Sequence, residues 1–323
     1  MKKSKKKLRV KYNPKIIVVV GPTASGKSTL AVKLAKKFKG EIISADSRQV
    51  YEGMDIGTGK ITPDTKNSSN FSTGQAKKKY VFTHKGIPHY CIDVANPKNQ
   101  FSVAQYKQLA EKVIKKIIRH GKIPIICGGT GFYIQAITEN ISIPEIKPDI
   151  KLRTALEKKS TKELFSQLKK LDSRRAKNID KNNRRRLIRA LEIIIKSGNK
   201  VPELKSAPKY EVLFIGVKRG MRELKELIKS RLLKRLKIGM VKEIINLKKL
   251  GLSWQRLEDF GLEYRYVAYY LQNKLSYDEM VSKLQKEIEH YAKRQMTWFN
   301  RNKKIRWVAN SNQAGKLVKG FLP

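Results

Sequence analysis

The sequence predicts an α/β fold with a mainly parallel sheet, a phosphate loop after its first strand, and a separate helical module inserted in the chain. Three observations carry that prediction. Five apolar residues, Ile16 to Val20, run into Gly21-Pro22-Thr23-Ala24-Ser25-Gly26-Lys27-Ser28 and then into apolar positions Leu30, Ala31, Leu34, Ala35 and Phe38 at helical spacing. Short buried-strand runs recur at Glu41–Ala45, Ile123–Cys127 and Glu211–Val217, separated by helix-spaced segments, as in a layered α/β core. Between Pro144 and Pro208 lies a stretch of helical periodicity bounded by prolines at both ends.

The octet at 21–28 fits G-x-x-x-x-G-K-[ST] without a gap. Its glycines let backbone N–H groups curl around an anion, and the following helix adds the positive end of its dipole. Lys27 is placed to reach the outer phosphates, and the Ser28 hydroxyl is the expected magnesium ligand. A capping turn rich in glycine and serine is the alternative, but the strand before and helix after it favour a phosphate site.

The second strand ends at Asp46-Ser47-Arg48-Gln49. Ligands of open α/β sheets bind beyond the carboxyl ends of the strands, which puts Asp46 beside the phosphate loop. Its residue type alone leaves two readings open, a functional carboxylate or a cap for the following turn. Residues 62–86 are polar and aperiodic, read as an exposed excursion with a hairpin between Tyr80-Val81-Phe82 and Ile87. Phe101 to His120 is an amphipathic helix ended at Gly121, and Ile123–Cys127 leads into a second glycine turn, Gly128-Gly129-Thr130-Gly131.

Ser160-x-x-Glu163 predicts a capping box, and Asn182 to Lys196 predicts a helix with Leu187, Ala190, Leu191 and Ile194 on one face and Arg184, Arg185, Arg186 and Arg189 near its start. Glu211–Val217 then returns to the sheet. Leu224 to Leu247 reads as amphipathic helix broken near Gly239, with Arg231 and Arg235 on or beside the buried stripe. An arginine there is costly unless paired, so at least one is expected to face an anion in the cleft. Helices start at Gly261 and at the Ser276-x-x-Glu279 box, the latter running to Trp298-Phe299, both read as core. Arg306-Trp307-Val308 is the expected edge strand.

The 323 residues carry 72 Lys and Arg against 27 Asp and Glu, net +45. That excess exceeds what solubility needs and indicates a polyanionic partner, with a lysine-rich compositional bias as the alternative. Residues 143–210 alone hold 20 basic and 8 acidic residues, net +12, and successive basic helix positions cannot all be paired within that helix. A nucleic-acid-facing surface is the preferred reading there. Residues 1–14 are expected to be a disordered basic arm, either touching nucleic acid or simply solvated. Two distant cysteines, Cys91 and Cys127, give no reason for a disulfide or zinc site. Without a long apolar run or signal-peptide core, a cytoplasmic protein is expected.

In this order, GPTASGKS (21–28), ISADSRQVYEGMDIGTGK (43–60), GIPHYCID (86–93), FSVAQY (101–106), GKIPIICGGTGFY (121–133), NRRRLIRALEI (183–193), GLEYR (261–265) and KRQMTWF (293–299) make the chain resemble the tRNA dimethylallyltransferases from about Ile16 to Trp307. The resemblance implies a P-loop NTPase-like core over 15–142 and 209–323, and a helical insertion over 143–208 that clasps the anticodon stem-loop. It implies transfer of a dimethylallyl group from dimethylallyl pyrophosphate, with Mg2+, to the exocyclic amine of the adenosine immediately 3′ of the anticodon. Carried over residue by residue, Gly21 to Ser28 hold the pyrophosphate, Asp46 is the general base, and Thr23, Lys27 and Arg231 act at the donor. Asp46, Ser47, Arg48, Gln49, Thr130, Arg153, Arg185, Arg186, Leu187, Ile188, Arg189, Tyr264 and Arg265 match positions that contact tRNA. A monomer is expected. Two departures stand out: the long 62–86 excursion, and a glycine-tyrosine-arginine signature that here reads Glu263-Tyr264-Arg265. With no C-terminal zinc-finger extension, a bacterial-type enzyme is expected. An adenylate isopentenyltransferase, a small-metabolite kinase and a non-enzymatic RNA-binding protein are the rival readings; the basic insertion argues against the first two, and the intact Lys27, Ser28 and Asp46 against the third.

Overall fold

The computed structural model describes residues 13–64, 82–144, 146–203 and 205–322. The lysines of the expected N-terminal arm from Lys2 to Lys11, and residues 65–81 of the excursion, lie outside the described residues. The chain divides into two compact units, Met1–Asn140 with Pro208–Pro323, and Ile141–Ala207.

The first unit is built on β1 (Lys15–Val20), followed by the loop and α1 (Lys27–Lys37), then β2 (Gly40–Ser44). The excursion ends on β3 (Phe82–His84) and β4 (Ile87–Tyr90), a short antiparallel pair; of the expected first strand Tyr80-Val81-Phe82, Phe82 starts β3 and the other two lie outside the described residues. α2 (Val103–Arg119) follows a capping box in which Ser102 takes the Gln105 amide. β5 (Ile123–Cys127) and α3 (Gly131–Thr138) lead to the second unit.

That unit comprises α4 (Ile150–Glu157), α5 (Thr161–Leu171), α6 (Ser173–Lys177) and α7 (Arg184–Ser197). The Ser160–Glu163 capping box is present. Leu156, Leu164, Leu168, Leu187 and Leu191 form its own apolar core.

The chain re-enters the first unit through β6 (Glu211–Val217), then α8 (Met221–Lys237), α9 (Met240–Lys249), α10 (Trp254–Phe260), α11 (Leu262–Leu271), α12 (Tyr277–Phe299), β7 (Arg306–Val308) and α13 (Ser311–Phe321). The strand order is β3-β4-β2-β5-β1-β6-β7, parallel throughout except for β3 against β4. β1 is central and buried on both faces. Ile16, Val18 and Val20 pack into one apolar layer with residues of α2, α3 and α8 to α12, while Ile17 and Val19 pack into the other with α1 and α13. This double burial explains why its residues are uninterrupted hydrophobes rather than alternating ones. The carboxyl ends of β1, β2 and β5 therefore lie side by side, each followed by a polar turn.

Candidate active site

The phosphate loop leaves β1 at Gly21. Ala24 and Gly26 adopt left-handed φ values of 62° and 88°, the kind of alternation that forms an anion-binding nest. Ser25 is buried, and its Oγ has no hydrogen-bond partner among the described residues. A buried, unpaired hydroxyl is costly and fits a loop shaped to receive phosphate oxygens. Lys27 Nζ donates to the Pro22 carbonyl at 3.2 Å. Desolvation in the cleft lowers the Lys27 pKa, and Arg231 and Arg235 add repulsion against the opposing pull of Cys127 and Asp46. The Ser28 hydroxyl hydrogen-bonds the Cys127 thiol and remains exposed. Among the described residues no group of three or more His, Cys, Asp or Glu is gathered for a metal.

Asp46 follows β2. Its Oδ1 accepts the Arg48 amide at 2.8 Å and the Gln49 amide at 3.3 Å, and Oδ2 makes no hydrogen bond among the described residues. The capping reading of Asp46 is thus met by one oxygen, while the other stays unbonded among the described residues. The second glycine turn locks against it. The Ser47 amide donates to Thr130 Oγ1 at 3.0 Å, and the Thr130 amide donates to the Ala45 carbonyl at 3.0 Å.

Arg231 and Arg235 sit one turn apart on α8. Arg231 Nη1 reaches Thr23 Oγ1 at 3.3 Å, bringing a guanidinium to the phosphate loop. Burial, then the neighbouring Arg235, lowers its pKa to about 10. Arg235 is instead buried and paired with Glu263 at 2.9 Å, with Gly57 O as a second acceptor. Both guanidiniums press on Gly59, whose φ is +63°; a Cβ there would fall 1.7 Å from Arg235 Nη2 and 2.1 Å from Arg231 Nη2. Only glycine fits that conformation and that space. The sequence expectation of at least one anion-facing arginine thus resolves into Arg231 facing the loop and Arg235 held by a carboxylate.

The structure brings together Thr23, Lys27, Asp46, Ser47, Thr130 and Arg231. Arg48 is half-buried and stacked over Phe260, its Nη2 donating to the Asp259 carbonyl. The Gln49 side chain is turned onto the carbonyls of Thr58 and Gly59 and takes the Ser44 hydroxyl. Arg265 Nε donates to Glu258 O.

Three expected RNA contacts are corrected. Tyr264 is 2% exposed, packed under Gly57 with its hydroxyl given to Glu243, so it is a core residue. Leu187 and Ile188 are buried in the core of the second unit, since the apolar face of α7 is needed there. Arg153 and Arg189 retain partial exposure, but both bind the fully buried Glu192: Arg153 through Nε and Nη2 at 2.8 Å each, Arg189 through Nη1 at 2.6 Å. Burial would raise the Glu192 pKa; the Arg153 bonds, the Asp149 amide and Arg189 outweigh it, and the net direction is downward. Arg185 and Arg186 are exposed at the start of α7.

Several residues of the site were not singled out as functional from the sequence. Gln295 joins the phosphate loop to the second glycine turn. Glu243 accepts the amides of Asp55, Ile56 and Gly57 and so anchors the loop that carries Gly59. Glu263 was visible only as a departure from a signature.

A family model described as IPP transferase matches residues 49–302, and one described as Isopentenyl transferase matches residues 14–70. The tRNA dimethylallyltransferase 1 of Syntrophus aciditrophicus is 40% identical over 287 residues, covering 88% of this chain and 89% of that one. The chain belongs to the tRNA dimethylallyltransferase family. The full-length tRNA isopentenylpyrophosphate transferase of Bacillus halodurans matches with a TM-score of 0.66 and 32% identity over 95% of each chain. A eukaryotic dimethylallyltransferase, in crystallographic snapshots acting on tRNA, matches with a TM-score of 0.73 and 26% identity over 92% of this chain and 74% of that one. Members of this tRNA dimethylallyltransferase family have the P-loop NTPase-like core expected from the sequence. Among the described residues no helix is long and apolar enough to cross a membrane.

Proposed function

We propose that this chain is a prenyltransferase that moves the dimethylallyl group of dimethylallyl pyrophosphate onto tRNA, at the exocyclic amine of the adenosine 3′-adjacent to the anticodon. The observation that carries the reading is the meeting of the phosphate loop, the Arg231 guanidinium and a half-free Asp46 carboxylate at one sheet edge. The +12 insertion supports a polyanionic acceptor rather than free AMP or a small metabolite.

Adenine's amine is a weak nucleophile because its lone pair is delocalised into the ring. As nitrogen bonds to the first prenyl carbon, the carbon–oxygen bond to pyrophosphate breaks and its electron pair leaves with the phosphate. Asp46 Oδ2 takes the amine proton. The two amides on Oδ1 hold the carboxylate in place for this step. The loop amides of Gly21 to Ser28, the ammonium of Lys27 and the guanidinium of Arg231 oppose the charge gathering on pyrophosphate, and Thr23 orients Arg231. Ser28 would hold Mg2+, which would neutralise further phosphate charge. Reaching Asp46 requires the target base to leave its stack. Thr130, Ser47, Arg48, Gln49 and Arg265 are the proposed neighbours of the acceptor nucleotides, and Arg185 and Arg186 the proposed phosphate contacts of the Ile141–Ala207 unit, which we read as the stem-loop-binding domain. A monomer acting in the cytoplasm completes the reading.

The test is incubation with radiolabelled dimethylallyl pyrophosphate and Mg2+, offering unmodified tRNA or AMP. Label in tRNA is the expected result. Label in AMP, or ATP hydrolysis without label in either, would overturn it.

A further inference from the structure

α12 presents a buried stripe of Met280, Leu284, Ile288, Ala292 and Phe299, interrupted by one polar residue, Gln295, which is 5% exposed. A buried amide needs all its partners, and a hydrocarbon side chain would fill a core stripe at less cost. Gln295 has both. Its Oε1 accepts the Thr23 amide at 2.7 Å, and its Nε2 donates to the Gly129 carbonyl at 3.0 Å. The partners fix the amide's orientation, because the reverse would set N–H against N–H and oxygen against oxygen. Gly129 is shaped to this contact: a Cβ there would lie 2.2 Å from Gln295 Nε2.

The two ends lead to opposite sides of the reaction. Thr23 Oγ1 receives Arg231 on the donor side. Gly129 precedes Thr130, whose hydroxyl holds the Ser47 amide next to Asp46 on the acceptor side. One side chain therefore spans the gap between the group that stabilises the leaving pyrophosphate and the base that takes the proton.

We propose that Gln295 is a positioning residue for prenyl transfer, fixing the donor loop against the acceptor turn and so setting the spacing between pyrophosphate and Asp46. This rests on the reading of the loop as the donor site and of Asp46 as the base. Misplacement of reacting groups by about 1 Å costs on the order of 100-fold in rate.

The test compares full-length wild type, Gln295→Glu and Gln295→Met in single-turnover transfer from dimethylallyl pyrophosphate to unmodified tRNA. An ionised glutamate accepts from Thr23 but sets an oxygen against Gly129 O; a protonated one restores the missing donor. The expected result is a rate roughly 100-fold below wild type for both variants at about pH 8, with tRNA affinity unchanged. The Gln295→Glu rate, taken as a ratio to wild type, then recovers as pH falls toward about 6, and the Gln295→Met ratio does not. A pH-independent Gln295→Glu ratio, or a wild-type rate in Gln295→Met, overturns the inference. Hydrogen exchange of peptides covering 21–28 and 128–133 decides the same point without catalysis: Gln295→Met should speed exchange in both, and unchanged protection rejects the link. If wild type itself fails to prenylate tRNA, the functional reading falls while the exchange result still judges Gln295.

Discussion

Replacing Glu263 by alanine would strand a buried guanidinium. The Arg235 and Glu263 side chains are 9% and 12% exposed and meet at 2.9 Å. Without Glu263, Arg235 would keep, among the described residues, only the Gly57 carbonyl at 3.3 Å as a hydrogen-bond acceptor. It would also face Arg231 unscreened. A single Cβ position on Gly59 reaches both Nη2 atoms, at 1.7 and 2.1 Å, so the guanidiniums stand roughly 4 Å apart or less, where like charges repel by about 4 kcal/mol at an effective dielectric near 20. Removing one partner of a buried pair costs about 3–5 kcal/mol, because the remaining charge stays desolvated. Glu263→Ala should therefore lose about that much stability, with a fall in melting temperature of roughly 10 °C. The double variant Arg235→Met/Glu263→Ala buries no charge at either position and should regain most of the loss. Urea unfolding followed by tryptophan fluorescence suits the measurement, because Trp254, Trp298 and Trp307 all belong to the sheet-bearing unit. The reasoning is refuted if the double variant is as unstable as the two single losses combined, or if Glu263→Ala costs less than about 1 kcal/mol.

Three further outcomes are expected. Asp46→Asn should abolish transfer while tRNA affinity stays within about two-fold, since only the proton acceptor is removed; loss of both in a filter-binding assay would make Asp46 an RNA anchor. Arg186→Glu should weaken tRNA binding and reduce the steepness of its salt dependence by about one unit of slope per lost phosphate contact; an unchanged slope would put the phosphates elsewhere. Glu192 has a carboxyl held below its ordinary value near 4.5, so its contribution is full above that value and fades as pH falls through the lower folded one. Acid should therefore loosen the Ile141–Ala207 unit, and Glu192→Gln should begin less stable at neutral pH yet change less below about pH 4.5. Parallel acid profiles for wild type and variant, followed by hydrogen exchange in α5 and α7, would contradict this.

Much of the fold was legible because its signals are local. The strand–loop–helix of 16–38 declares itself in consecutive residues, and the Ser160 and Ser276 boxes each complete within four. Burial on both faces gives β1 and β5 the uninterrupted apolar runs Ile16 to Val20 and Ile123–Cys127. The exposed arginines of α7 were also visible, as a run too dense to pair within one helix.

What the sequence left open was which partner the fold would bring to each side chain. Periodicity could not tell that Arg153 and Arg189 converge on Glu192, 39 and 3 residues away. It could not tell that Tyr264 turns inward to Glu243, or that Leu187 and Ile188 are spent on their own unit's core. Residue type and motif order determined which chemistry this protein carries: an anion loop, a carboxylate and a basic module. Tertiary structure alone decided which guanidinium faces the phosphate loop and which is neutralised. Arg231 and Arg235 are one helical turn apart and alike in sequence; only the arrival of Glu263 beside one of them, and of Thr23 beside the other, separates their roles, because the fate of a buried charge is set by whatever neighbour the fold brings within hydrogen-bonding distance.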